Sequence, residues 1–257
     1  FLLNLPPKLN RFYKNKIKKK IVTKNKSKNL NDFDPVTNID SSLETYIRKL
    51  IEKNFSMDSI SGEEFKDKNL SKVYRWWIDP IDGTKAFISG IPTWSNLIGY
   101  SFNNKSIYGL ANFPKLERFY INDKKNSYVY SGKKKYLLKT NKKSNPKNLK
   151  IIFNFHKSIS QRNENSLKKI FGPNLIITKL DALSYCLLSE GKIDAVIEGN
   201  LKPFDIKPLI PIIKNSGGVI SNWKNQPAEI GGNILATSNK KLHLKMLKMI
   251  KRFIMYK

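Results

Sequence analysis

The chain reads as a layered α/β protein, with an α+β first half and an α/β second half. Three observations carry that reading. From Ser41 to Asn54, apolar residues recur at helical spacing, with Leu43, Tyr46, Ile47, Leu50 and Ile51 on one face. Between Tyr74 and Ile121, apolar runs follow one another as closely as the strands of a meander. From Ile151 onward, strand-like and helix-like runs alternate. The expected division is residues 1–140 and residues 141–257.

Residues 1–30 are basic, and Leu9, Phe12, Ile17 and Ile21 are spaced for a first helix. The stretch from Asp34 through Pro35, Val36 and Thr37 to Asp40 has the form of a strand-to-helix junction. Strands are expected at Tyr74–Ile78, Ser95–Phe102, Ser106–Phe113 and Arg118–Ile121. Asn103-Asn104 is a hairpin signal, because asparagine tolerates the left-handed backbone of tight turns. The Lys/Asn/Ser-rich stretch from Lys133 to Lys150 reads as a linker. Beyond it come a strand at Ile151–Asn154, a helix at Ser160–Phe171 and a strand at Leu175–Thr178. An apolar helix at Ala182–Ser189 ends at Gly191, and Ala195–Ile197 is a strand. Asp205 is expected to cap a helix over Ile206–Asn215, with Pro208 tolerated in its first turn. Gly217-Gly218 ends that helix, Val219–Ser221 and Ile234–Thr237 are strands, and a basic helix runs from Lys240.

With 40% hydrophobic and 11% aromatic side chains in 257 residues, the chain can bury a substantial core. No apolar run approaches the roughly 18 residues of a membrane span. The opening Phe1-Leu2-Leu3-Asn4-Leu5-Pro6-Pro7 is too soon broken by proline for a signal peptide, and the missing initiator methionine fits a fragment or processed product. Cys186, the single cysteine, excludes a disulfide framework, fits a reducing cytoplasm and reads as a small buried hydrophobe. The net charge of +28 admits nucleic acid or an anionic membrane as partner. The excess is mostly lysine, however, and it accompanies abundant Asn and Ile, as A/T-rich codon usage would produce. It is also dispersed, without the interleaved aromatics of a single-strand groove. No dedicated nucleic-acid or membrane partner is therefore expected. A basic nucleic-acid-binding protein without turnover is the alternative of a different class.

The most informative stretch is Trp77 to Phe87, where Asp79 and Asp82 flank Pro80 and Ile81. Hard oxygen donors on one rigid turn suit Mg²⁺, which takes carboxylates together with substrate phosphate. Gly83 and Thr84 open a short helix whose free N–H groups suit a phosphate oxyanion. Taken alone, these residues also read as an Asp-Pro turn followed by an Asx turn. Further acids stand out by context: Asp40 at the junction, Glu63 and Glu64 after Gly62, and Asp205 at a helix start. Each has an ordinary reading, as a helix cap or an exposed turn. His156 and His243 fall in no ligand pattern, and Trp76, Trp77, Trp94 and Trp223 read as packing.

Together, Asp34-Pro35-Val36-Thr37 with Asp40, Gly62-Glu63-Glu64, Asp79-Pro80-Ile81-Asp82-Gly83-Thr84, and Asp205 followed by Gly217-Gly218 resemble the inositol monophosphatase superfamily. Ala86 to Pro92, Asp181 to Leu188, and Leu201 to Ile206 look like its histidinol-phosphatase branch. The resemblance implies a layered αβαβα sandwich of the inositol monophosphatase and fructose-1,6-bisphosphatase type. It implies a cytoplasmic, homodimeric, Mg²⁺-dependent phosphomonoester hydrolase with two or three ions per site. Histidinol phosphate is the expected substrate, in histidine biosynthesis; inositol 1-phosphate, or a broad range of sugar and nucleotide phosphates, is the alternative. Carried over by position, Glu63, Asp79, Asp82, Asp205 and the Ile81 carbonyl would bind metal. Asp40, Thr84 and Glu63 would serve catalysis. Gly83, Thr84, Asp181, Glu198 and Asp205 would bind substrate. Two departures stand out: Lys179-Leu180 replaces the branch's usual Gly-Gly, and Asp58 stands where many relatives carry histidine.

Overall fold

Prolines in the first turn open α1 (Leu5–Lys16), where their missing N–H would be unpaired in any case. The strand β1 (Thr23–Asn25) pairs antiparallel with β2 (Pro35–Thr37). Thr37 then caps α2 (Asn38–Asn54): its hydroxyl accepts from the Ile39 N–H, while Asp40 reaches back to the Thr37 N–H. The computed structural model describes residues 1–18, 20–26, 35–143, 148–155, 159–171, 175–178 and 180–254. Asp34, His156 and Lys179, and part of the expected linker, lie outside these residues.

The next elements are β3 (Ser59–Gly62), β4 (Tyr74–Asp82), a short α3 (Thr84–Ile88), β5 (Ser95–Phe102), β6 (Lys105–Phe113), β7 (Arg118–Asn122), β8 (Ser127–Ser131) and β9 (Lys134–Leu137). Their strands form a seven-stranded sheet in chain order. It is antiparallel except where β3 meets β4. The second part comprises β10 (Lys150–Asn154), α4 (Gln161–Phe171), β11 (Leu175–Thr178), α5 (Ala182–Ser189), β12 (Ala195–Leu201), α6 (Pro203–Ile206), α7 (Leu209–Asn215), β13 (Val219–Asn222), β14 (Gly232–Thr237) and α8 (Lys240–Ile254). Its five strands take the order β11-β10-β12-β14-β13, parallel among β11, β10 and β12 and antiparallel beyond.

Neighbouring residues in the sheets feed different cores, as the two-residue period of a strand requires. On β5, Leu97 packs with α5 and α7, whereas Ile98 faces the α1 and α2 side. On β14, Ile234 and Ala236 join that same central core, and Leu235 packs toward α4 and α8. Both sheets are therefore covered on both faces, which is why their strands read as nearly continuous apolar runs. The layers run helix, sheet, helix, sheet, helix, which is the expected αβαβα sandwich. Asn103 and Asn104 both take left-handed φ values, 47° and 62°, at the hairpin between β5 and β6.

Several sequence readings are corrected. The linker from Lys133 is interrupted by β9, an edge strand whose four residues are all exposed and so show no alternating pattern. β3 (Ser59–Gly62) and β8 (Ser127–Ser131) are further strands beyond those expected. α1 ends at Lys16, so Ile21 is not helical and lies 42% exposed. The single helix expected over Ile206–Asn215 is two, α6 and α7, with Pro208 between them. Asp205 is not the cap of that helix but sits inside α6, where its Oδ2 accepts from the Lys202 N–H at 2.7 Å.

The turn between α6 and α7 is pressed into the seven-stranded sheet. An alanine Cβ at Gly109 would lie 1.7 Å from the Pro208 carbonyl oxygen, and one at Gly99 would lie 3.0 Å from the Pro208 nitrogen. The two glycines face each other across β5 and β6. Their missing side chains let Pro208 approach, and this fixes the depth of α6 and of Asp205.

Candidate functional site

The Asp79–Asp82 segment is not the simple turn read from sequence. β4 continues through it, and its pairing with β5 slips: Asp79 opposes Leu97 and Asp82 opposes Ser95, leaving Pro80 and Ile81 opposite Asn96 alone. In a regular strand, residues three apart point to opposite faces. The extra residue of a bulge changes that parity. Asp79 and Asp82 accordingly feel each other's charge. Asp79 is 3% exposed, and its Oδ1 accepts no hydrogen bond among the described residues. Burial pushes its pKa well above the usual carboxylate range, with Glu63, Asp82, Asp205 and Asp40 adding repulsion. Asp82 is likewise raised, by burial and then by Asp181. Gly83 takes a left-handed φ of 79° and turns the chain into α3, and the Thr84 hydroxyl donates to the Ile81 carbonyl at 3.1 Å.

Glu63 and Glu64 follow β3, and the exposed-turn reading of them is wrong. The Glu63 N–H donates to the Ile78 carbonyl at 3.1 Å, which ties this corner to β4 beside Asp79. The Glu64 N–H donates to Glu44 Oε2 at 2.7 Å, and Arg48 Nε donates to Glu44 Oε1 at 2.8 Å. Lys26 Nζ lies 2.9 Å from Glu63 Oε1 and 2.5 Å from Glu64 Oε1. Burial alone would lower the Lys26 pKa; the two glutamates more than offset it and hold the ammonium above the usual lysine range. Asp40 is fully buried on α2 with its Oδ2 bonded by Thr37, and its Oδ1 accepts no hydrogen bond among the described residues. Burial raises its pKa to about 6, against the Thr37 hydrogen bonds that lower it. Among the described residues, no hydrogen bond joins Asp40 to Thr84.

Gly62 has a local reason of its own. A Cβ there would stand 2.2 Å from Glu44 Oε1, and Glu44 is held by Arg48 and by the Glu64 N–H. Gly62→Ala should therefore displace the Glu44 carboxylate and release the Glu63–Glu64 corner. The expected loss is about 1–3 kcal/mol, the scale of overpacking. Thermal unfolding checks it, and an unchanged midpoint would mean that Glu44 moves aside freely.

The second acidic group comes from the five-stranded sheet. Glu198 is not a surface acid at a strand end: it is 2% exposed within β12. Asn154, on the adjacent β10, donates through Nδ2 to Glu198 Oε1 at 3.0 Å and to Asp181 Oδ1 at 3.3 Å. Asp181 precedes α5 with a left-handed φ of 43°. Tyr185 is buried beside this group, and burial and then the Glu198 charge push its phenol well above the ordinary range. The two groups of acids meet where Asp82 Oδ2 accepts the Ala182 N–H at 2.9 Å. The structure thus brings Glu63, Asp79, Asp82, Asp205 and Asp40 within Coulomb reach, and Asp181 and Glu198 beside them. Among the described residues, no three acidic, histidine or cysteine side chains form a ready-made coordination shell. His243 is buried and bonded to Ser221 and Thr237, Cys186 is buried, and neither belongs to the site.

Sequence reasoning did not single out Lys26, Glu44, Asn154 or Tyr185. Glu44 did carry a signal, since it lies on the α2 stripe of Ile47 and Ile51 where an acid needs a buried partner. Asn154 carried none.

The sequence profile of the inositol monophosphatase family matches residues 8–254, and the chain belongs to this family of phosphatases. It is 32% identical over 215 residues to the bifunctional phosphatase IMPL2 of Arabidopsis thaliana, an alignment covering 80% of this chain and 60% of that protein's length. It is 27% identical over 214 residues to a histidinol-phosphatase of Mycobacterium tuberculosis, covering 80% of this chain and 81% of that one. An inositol monophosphatase structure from Zymomonas mobilis superposes with a TM-score of 0.80 at 24% identity, covering 97% of this chain and 96% of the other. At that identity the likeness establishes the fold alone. No helix among the described residues is long and apolar enough to cross a membrane.

Proposed function

We propose that the chain is a Mg²⁺-dependent phosphomonoester hydrolase whose preferred substrate is L-histidinol phosphate. The observation that carries the metal reading is Asp79: a buried carboxylate, one oxygen of which has no partner among the described residues, surrounded by further acids. Such a group is costly to leave ionised unless a cation neutralises it. The donor set is all hard oxygen, as Mg²⁺ requires. Glu63, Asp79, Asp82, Asp205 and the Ile81 carbonyl would hold the ions. Bound Mg²⁺ supplies a lowered pKa for water and charge stabilisation for the ester oxygens.

The chain's own residues do the rest. Asp40, whose Oδ1 accepts no hydrogen bond among the described residues, is suited to accept a proton from the attacking water. Thr84, anchored by its hydroxyl to the Ile81 carbonyl, orients that water together with Asp40. The Gly83 and Thr84 backbone N–H groups bind the non-bridging phosphate oxygens. Glu198 and Asp181, aligned by Asn154, form an acidic recess for an ammonium group. The histidinol-phosphatase among the relatives supports the same choice.

Phosphate release over histidinol phosphate, inositol 1-phosphate and adenosine 3′,5′-bisphosphate, with and without Mg²⁺, tests the assignment. Glu198→Gln keeps an oxygen for Asn154 and removes only the charge. It should lower kcat/KM for histidinol phosphate by about 1.5–3 kcal/mol, the scale of a charge-assisted hydrogen bond. A small uncharged ester should be hydrolysed nearly as before. Equal losses on both would move the broad-specificity alternative ahead.

A further inference from the structure

Behind the acidic bulge runs a chain of three buried or half-buried amides. Asn96 Nδ2 donates to the Pro80 carbonyl at 2.6 Å. Asn112 Nδ2 donates to Asn96 Oδ1 at 2.8 Å and to Asn10 Oδ1 at 2.9 Å. The polarity of this chain is not free. A carbonyl only accepts, so Asn96 must turn its NH₂ to Pro80, which leaves its oxygen for Asn112. Asn112 then spends both amide hydrogens, one on Asn96 and one on Asn10. Both amide hydrogens of Asn112 are thus spent, and Asn96 and Asn112 are each 1% exposed.

The relay sits where the strand ladder is broken. Asn96 is the residue that faces Pro80 and Ile81 across the slipped register. Proline has no N–H for the ladder, so one side of this step lacks a donor. The Asn96 side chain supplies a donor to the Pro80 carbonyl. Asn112, on β6, and Asn10, on α1, brace it from two further elements.

We propose that Asn96 is a positioning residue for the metal-binding carboxylates: its bond to Pro80 holds the bulge that turns Asp79 and Asp82 to the same side, and Asn112 and Asn10 set its orientation. This inference rests on the metal-site reading above, and it acts through the backbone between the two acids. Outer partners of metal ligands typically cost about 10–100-fold in affinity when removed. Asn96→Leu, which keeps the side-chain shape and removes the donor, should therefore weaken Mg²⁺ binding by at least about tenfold. Asn112→Leu should produce a smaller loss, and the double variant should lose no more than Asn96→Leu alone, because both act on one bond.

Mg²⁺ titration by calorimetry, with intrinsic tryptophan fluorescence in parallel, reads this without turnover. With phosphate ester added, Asn96→Leu should lower kcat at fixed Mg²⁺ while KM stays near the wild-type value, and raised Mg²⁺ should restore part of the rate. Asn10→Ala, at the half-buried end, keeps a folded protein in hand if the core variants fail to fold, and it should weaken Mg²⁺ binding measurably. A lowered unfolding midpoint with unchanged Mg²⁺ affinity in all variants would reduce the relay to a packing feature and overturn the proposal. Wild-type protein that binds Mg²⁺ but releases no phosphate would overturn the hydrolase reading alone. Wild-type protein that binds no Mg²⁺ would overturn both.

Discussion

Asp79→Asn should all but abolish turnover and weaken Mg²⁺ binding while making the metal-free protein more stable. The two effects share a cause. Asp79 is buried, its Oδ1 has no partner among the described residues, and Glu63, Asp82, Asp205 and Asp40 all repel its charge. Asparagine occupies the same space without that charge, so the fold is relieved and the cation loses its principal attraction. Turnover at saturating Mg²⁺ should fall by more than about 100-fold, the upper end of what even outer partners of a metal ligand cost. Near-normal activity would sink the assignment.

The pH dependence follows from the same groups. A carboxyl whose folded pKa is raised holds its proton in the fold after the unfolded chain has lost it. Its contribution is fully present below the unfolded pKa and is lost as pH rises through the folded one. For Asp40 that window runs from the model-peptide value of 3.8 to about 6, and Asp79 and Asp82 extend it upward. Metal-free protein in chelator should therefore unfold at a lower temperature at pH 8 than at pH 5. In Asp79→Asn the difference should shrink, and Mg²⁺ should raise the midpoint of the wild type at pH 8. A wild-type midpoint independent of pH would show that these acids do not strain the fold.

Gly109→Ala should give the largest loss of stability. The new Cβ would lie 1.7 Å from the Pro208 oxygen and 2.7 Å from its carbonyl carbon, both backbone atoms. No rotamer change relieves a clash with backbone, so the α6–α7 turn must lift off the sheet. The cost should be about 3 kcal/mol or more, at or above the upper end of overpacking. For a chain of this size the midpoint should drop by roughly 10 °C. Because Asp205 lies just before the displaced turn, Mg²⁺ affinity should fall along with stability. A stable variant with wild-type affinity would mean that the turn can slide without moving Asp205.

Much of the fold was legible in the chain because its cause is local. α2 follows from one apolar stripe, the β5–β6 hairpin from two asparagines, and the second half from alternating runs. The cap of α2 is Thr37, with Asp40 inside the first turn rather than the cap its sequence position suggests. β9 was illegible because all four of its residues face solvent and no hydrophobic pattern marks it. The αβαβα layering was reached through resemblance; the structure accounts for it by alternate residues of each strand entering different cores. The acids of the site were likewise legible as residue types at marked positions. Their environments were not, and Glu63, Glu64 and Glu198 all proved more enclosed than a surface reading allows.

By itself, then, the sequence determined which carboxylates this protein carries and the order in which they occur. Only the tertiary structure decided that Asp79 and Asp82 share a side, because the bulge exists only against Asn96 on a neighbouring strand. It also decided which residues hold the acids in place: Glu44 beneath the Glu63–Glu64 corner, Asn154 between Asp181 and Glu198, and Pro208 against Gly109. The physical reason is the same in each case. A capping box or an amphipathic stripe is written within a few consecutive residues, whereas a buried charge takes its pKa and its partners from chain segments tens of residues away.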